Sequence, residues 1–284
     1  MIALRRALRS GKVQIGLVLL LGLLVTAIFA PQLAPHDPQQ QDILNSLTPP
    51  FWESGGDSAY PLGTDSLGRC VLSQVIYGTR TALTVAFSAA TGSMIIGCLL
   101  ALIAGYIGSG TDWLVTRMVD LWMSFPPVVL SLLLMVGLGV GIRNVILAIV
   151  LVDWTRFCRV VRSEVIVTRG RDYVTAARLL GFSHMRMIAR EILPAAVPLI
   201  ITLFSLEMGI AVIVEATLSF VGLSVGADVP AWGVMIADGR STLHQAPWVM
   251  IAPMIAIFLA IAAFNFLGDG LRGVLDPRLR TARV

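Results

Sequence analysis

The 284 residues are 56% apolar and 13% charged, whereas a soluble domain carries about a quarter of its residues as charges, so the composition excludes a soluble fold and indicates a polytopic membrane protein. The formal net charge of +4 lies in arginine clusters between apolar runs, which excludes a nucleic-acid-binding surface. Cys70, Cys98 and Cys158 are scattered, without a CxxC pair or partners at metal-ligand spacing, so neither a disulfide framework nor a metal site is expected.

In chain order, Arg5, Arg6, Arg9 and Lys12 precede an uncharged run over residues 13–33, close to the ~20 residues that a helix needs to cross a bilayer. No Ala-x-Ala cleavage site follows and further apolar runs come later. The run therefore reads as an uncleaved first span behind a cytoplasmic segment, residues 1–12. Residues 34–80 form an external loop with an interfacial segment, rich in Pro, Asp, Gln and Ser up to Tyr60.

Five further spans are expected within residues 81–268. No charge occurs between Arg80 and Asp112, which is ample for the second. The third runs from Trp113 to about Gly137 and contains Phe125-Pro126-Pro127, where proline removes backbone hydrogen bonds and bends the helix. Arg117 and Asp120, three residues apart, share a helical face and can pair. A fourth span over residues 144–161 is interrupted by Asp153, after which Arg156, Arg159 and Arg162 follow at helical spacing. Parity requires it, because without it the C-terminal arginines would face outward. The fifth span, residues 195–220, carries Glu207 and Glu215. Acids at membrane depth face either a watery path or neighbouring helices, and for Asp120, Asp153, Glu207 and Glu215 both readings stay open. An external segment, residues 222–246, leads to a sixth span over residues 247–267 and a cytoplasmic tail, residues 269–284. In this topology 16 of the 21 basic residues lie on the cytoplasmic side, in keeping with positive-inside placement.

A polar island, residues 168–194, interrupts the apolar runs between spans four and five. Asp172 is placed to N-cap a helix that stops at Gly181, where a left-handed residue needs no Cβ. Ser183 then caps a second helix expected to run to Leu193 and end before Pro194. Ala176, Ala177 and Gly181 would leave one face of the first helix smooth, open to close approach by another protein. No GxxxxGK[ST] loop is present to hold ATP, and no HExxH, GxSxG or paired-carboxylate pattern suggests an enzyme. His36, His184 and His244 lie far apart in sequence and read as loop or interface residues. No internal repeat is evident, which weakens the case for a carrier built from inverted halves.

Thr175-Ala176-Ala177, Gly181 and Glu191-Ile192-Leu193-Pro194 together resemble the EAA loop of ABC-importer permeases. Leu62-Gly63-Thr64-Asp65 with Gly68-Arg69, Pro230-Ala231-Trp232-Gly233, and Asn265-Phe266-Leu267-Gly268-Asp269-Gly270-Leu271-Arg272 with Leu275-Asp276-Pro277-Arg278 resemble segments of the C-type permeases of peptide/nickel importers. Cys70 stands where that family usually has Asp, and Ala231 where it often has Glu. The resemblance implies an all-α, six-span type I importer permease in the bacterial cytoplasmic (inner) membrane, in contact with lipid and with both termini cytoplasmic. It implies a homologous B-type permease, two ATP-binding subunits and an extracytoplasmic substrate-binding protein as partners. ATP and Mg would act through those subunits, with no cofactor bound directly. Asp172, Tyr173, Thr175, Ala176, Ala177, Arg178, Gly181, Phe182, Ser183 and Pro194 would then form the ATPase-coupling site. Di- or oligopeptides are the expected cargo, with nickel or another chelate, opines and glutathione-like solutes as alternatives within the same architecture. The rival from another class is a self-contained proton-coupled carrier or channel worked by Asp120, Asp153, Glu207 and Glu215.

Overall fold

A computed structural model describes residues 10–226 and 228–275, and every regular element among them is helical. The basic residues Arg5, Arg6 and Arg9 and the ending from Asp276 onward lie outside the described residues. The longer helices are α1 (Gly11–Ile28), α2 (Val71–Ile107), α3 (Ser109–Met123), α4 (Pro127–Leu138), α5 (Ile142–Arg169), α6 (Asp172–Leu179), α7 (Leu193–Phe220), α8 (Trp232–Ser241) and α9 (Trp248–Leu275). Lipid offers no hydrogen bonds, so the long apolar runs satisfy their backbone within helices.

Helices α1, α2 and α9, and α7 together with the turns before it, are each long and apolar enough to cross a bilayer; α3 and α4 reach that length only as a pair, bent by 86° at the break. Helix α5 is also long enough, at 28 residues, but carries four charges between Asp153 and Arg162. Among the described residues, helices stand at all six expected positions, with different ends; five positions have the apolar length of a span when α3 and α4 are taken together, and α5 does not. Helix α1 stops at Ile28, and a separate turn, Ala30–Leu33, follows Phe29. Proline is tolerated in a first turn but clashes with the carbonyl four residues back in a helix interior, so Pro31 restarts the helix. Helix α2 begins at Val71, and its 37 residues reach about 55 Å, beyond the ~30 Å apolar core. Residues 71–80, expected as an interfacial piece, are its projecting first turns. The prolines of the third span do more than bend it. Each disfavours the helical region for the residue before it, so Phe125 and Pro126 are both driven out and the span breaks.

Packing within the bundle relies on small residues, as expected where lipid removes the hydrophobic drive between helices. Helices α2 and α5 approach so closely that a methyl at Gly97 would lie 2.4 Å from the Trp154 carbonyl oxygen, and one at Gly105 2.7 Å from a Val165 methyl. Three arginines in the second half of α5 each find an acid. Arg162 pairs with Asp112, Arg159 with Asp120 at 3.1 Å, and Arg156 with Asp153 at 3.5 Å and Glu207 at 3.6 Å. This ladder is how a helix so rich in arginine is held in the bundle.

Buried apolar residues form two clusters. One, around Phe157, Val161 and Val165, lies at the end of the bundle carrying α6; the other, around Val85, Trp232 and Phe264, lies toward the opposite end. That opposite end is closed by a staple. Asp65, 2% exposed, accepts hydrogen bonds from the Leu67 and Arg69 amides, from Arg69 Nε and from Gln74 Nε2, all at 2.7–2.9 Å. Arg69 Nη2 reaches on to Asp238 of α8 at 3.1 Å. Trp232 and Trp248 donate their indole N–H groups to the carbonyls of Val75 and Thr64. The loop before α2 is thereby tied to α8 and α9.

Candidate functional site

The polar island folds into an elbow. Helix α6 spans Asp172–Leu179, with Arg171 rather than Asp172 in the capping position; Asp172 is the first helical residue, where its charge still complements the helix dipole. The helix ends as expected at Gly181, whose φ is +79°. The Gly181 amide donates to the Arg178 carbonyl and the Phe182 amide to that of Ala177, the paired bonds of a Schellman ending. Ser183 precedes a helical turn, His184–Met187, as expected.

The second helix does not stop at Leu193. A π-turn, Ile188–Ile192, carries it directly into α7, with Pro194 in the first turn of that helix. An α-helical Pro194 would collide with the carbonyl of residue 190, and the wider π-turn covers that residue. The elbow therefore joins span five as one 37-residue rod, His184–Phe220.

One side of the elbow is fastened and the other is free. Val174, Ala177, Met187 and Ile192 are buried in the cluster around Phe157 and Val165. Ala177 thus belongs to the anchoring face, not to the smooth outer face expected of it, because it lies three residues after Val174 on one side of the helix. Tyr106 and His184 share a 2.7 Å hydrogen bond, Tyr173 Oη donates to the Glu191 carbonyl at 3.4 Å, and Arg171 pairs with Glu164 at 3.7 Å. Arg186 stacks over the Phe182 ring at 4.2 Å. Asp172, Tyr173, Thr175, Ala176, Arg178, Gly181, Ser183 and Pro194 are exposed, and Phe182 is half-buried. Between them stand three large apolar side chains not singled out from the sequence: Leu179, 85% exposed, Leu180, 78%, and Met185, 79%. The signal was present as a Leu-Leu pair inside a polar island, on the side of the helix away from Val174.

The four intramembrane acids do not form one site. Asp120 is half-buried and paired with Arg159, and with Arg117 at 4.0 Å. Asp153 and Glu207 meet at Arg156, which ties α5 to α7, and both carboxylates are almost fully buried. Glu215 accepts hydrogen bonds from Ser219 at 2.6 Å and Ser224 at 3.2 Å, closing the turn after α7. Among the described residues no cluster of His, Cys, Asp and Glu is arranged to hold a metal ion.

Residues 74–281 match the family described as the inner membrane component of binding-protein-dependent transport systems, and residues 2–50 match the N-terminal transmembrane domain of oligopeptide transport permease C. A di/tripeptide transport system permease of Pseudomonas aeruginosa is 38% identical over 94% of this chain and 88% of its own length. A glutathione transport permease of Pectobacterium atrosepticum is 37% identical over 98% and 90%, and a nickel transport permease of Escherichia coli 36% identical over 95% of each. Among solved structures, an amino acid ABC transporter shares the fold with a TM-score of 0.55 at 18% identity, covering 70% of this chain and 92% of that one. The chain belongs to the inner membrane components of binding-protein-dependent transport systems and, among them, to the C-type permeases of the peptide/nickel importers.

Proposed function

We propose that this permease pairs with a homologous B-type permease to form the pathway of an ATP-driven importer of di- and oligopeptides. A substrate-binding protein delivers the solute on the outer side, and two separate ATP-binding subunits carry the ATP and Mg chemistry. The observation that carries the reading is the elbow: anchored beneath by Val174, Ala177, Met187 and Ile192, it presents Leu179, Leu180 and Met185 outward among Arg178, Arg186 and Arg190. Exposed apolar side chains on a rigid support are what a partner's groove requires. The expected topology, with 16 of the 21 basic residues on one side, supports a cytoplasmic elbow and cytoplasmic termini.

When ATP binding draws the two ATPase subunits together, the elbow moves with the subunit on which it docks. Because it runs into α7 without an intervening loop, its displacement becomes a tilt of span five, and Tyr106 and Arg171 pass it to α2 and α5. The spans then rock from inward-open to outward-open. Asp153 and Glu207 act as an interhelical tie in this reading and Glu215 as a local one that closes the turn after α7, since each is engaged inside the chain. That disfavours the self-contained carrier, whose working carboxylates would face water. The relatives named for dipeptides support peptide cargo, while the nickel and glutathione permeases keep those solutes as the second reading.

Leu180→Asp tests the proposal in proteoliposomes holding all the subunits. Loss of one central apolar contact of about 2 kcal/mol lowers ATPase docking roughly thirtyfold, so dipeptide uptake should fall at least tenfold while the permease pair stays intact. Uptake that persists without ATP or without the ATPase subunits would overturn the reading.

A further inference from the structure

The break between α3 and α4 is unlike the rest of the bundle. Among the described residues, the carbonyls of Met123, Ser124 and Phe125 accept no hydrogen bond, and the amides of Val128 and Val129 donate none. Residues 123–129 are all exposed on this chain. The break also sits against a neighbouring helix. Trp122, next to it, donates its indole N–H to the carbonyl of Leu151 on α5. Leu151 is nine residues from the start of α5, about 14 Å along it; taking that start as the entry to a ~30 Å apolar core puts the break near its middle. Bare backbone at that depth does not face lipid, because each unsatisfied group there costs several kcal/mol; it is tolerated only against protein or along a water-filled cavity.

We infer that the Met123–Val129 segment lines the translocation pathway and is a solute-contact site, its free carbonyls and amides pairing with the N–H and C=O groups of a passing peptide. The juxtaposition suits an amide, which presents a donor and an acceptor side by side. Contact through backbone groups alone reads no side chain, so the site accepts peptides of differing sequence. The carbonyl end of α3 adds a partial negative charge that favours the ammonium end of a peptide. The inference deepens the proposed function, on which it rests for the class of solute.

The test uses the assembled transporter in membrane vesicles, with Phe125→Cys and, as a second variant, Ser124→Cys; the native Cys70, Cys98 and Cys158 are buried. Phe258→Cys, at an exposed position on the unbroken α9, is the control. A charged, membrane-impermeant methanethiosulfonate should modify positions 124 and 125 at least tenfold faster than 258, and saturating dipeptide should slow that reaction at least threefold. Modification by N-ethylmaleimide alone, or by neither reagent, would show lipid or protein covering the break and overturn the proposal. So would labelling that dipeptide leaves unchanged. ATP-dependent uptake by unlabelled vesicles is read separately, so a failure of the importer assignment is distinguishable from a failure of the site.

Discussion

At the staple end, four donors converge on one buried carboxylate, and two tryptophan N–H groups find carbonyls on other segments. At the elbow end, Leu179, Leu180 and Met185 stand in the open. Both ends are rigid, and both use a short polar segment to join long helices. The difference lies in where the unsatisfied surface remains. The staple is complete within its own chain, so its polar groups serve stability; the elbow is secured only from beneath, which leaves its outer face for another molecule. Mutations should accordingly separate the two, with damage at the staple appearing as lost protein and damage at the elbow as lost coupling.

The largest effect is expected from Asp65→Ala. It strands Arg69 Nε, the Gln74 amide and two backbone N–H groups in a buried site and leaves Arg69 with Asp238 alone, and removing one partner of such a network costs about 3–5 kcal/mol. Thermal unfolding of the detergent-solubilised permease pair should show a clear loss of stability, with low abundance in the membrane. Whatever protein survives should keep its normal ratio of ATP hydrolysed to solute moved. Normal stability with altered coupling would reverse the roles assigned to the two ends.

Gly181 comes next. Nothing lies within 4 Å of a Cβ added there, so substitution acts through the backbone and not by collision. A φ of +79° costs an L-residue about 1–2 kcal/mol, more for a β-branched side chain and least for Asn. Uptake per ATP should therefore fall in the order Asn, Ala, Val, while abundance stays near normal because the elbow's anchoring residues are untouched. Equal uptake by the Val and Asn variants would show that the left-handed turn does not matter to coupling.

How much of this was legible in the sequence varies by physical cause. The stop at Gly181 could be read because it depends on one residue's own backbone freedom. The positions of most helical segments could be read because each rests on a long apolar run, whereas α5, interrupted by Asp153, could be placed only by parity. The break at Phe125-Pro126-Pro127 was read only as a bend, since proline signals a lost hydrogen bond but not whether a neighbour restores it. Helix continuity through Pro194 is not legible because a π-turn absorbs the clash, an accommodation with no local sequence mark. A small residue such as Ala177 suggests close approach without saying what approaches; here it is the chain's own core and not the outer partner expected. The partners of Arg156, Arg159 and Arg162 were hidden for a related reason, as three of their four acids lie on other helices.

The smallest expected effect concerns Cys70, the residue that departs from the resembling family's usual Asp. It occupies the N-cap of α2 in an extended conformation, 1% exposed, and its side chain caps no amide. Cys70→Ser would place an oxygen where a thiol now sits, able to accept from an amide in the first turn, for a gain of about 1 kcal/mol in ordinary sites. Burial of a more polar atom offsets part of that, so the net rise should be near 0.5 kcal/mol, read as a small upward shift in the midpoint of thermal unfolding. Uptake should not change, because the cap lies wholly within the staple. A Ser variant that altered uptake without altering stability would mean that this end also moves during transport, and the division between a closed end and a receptive one would fail.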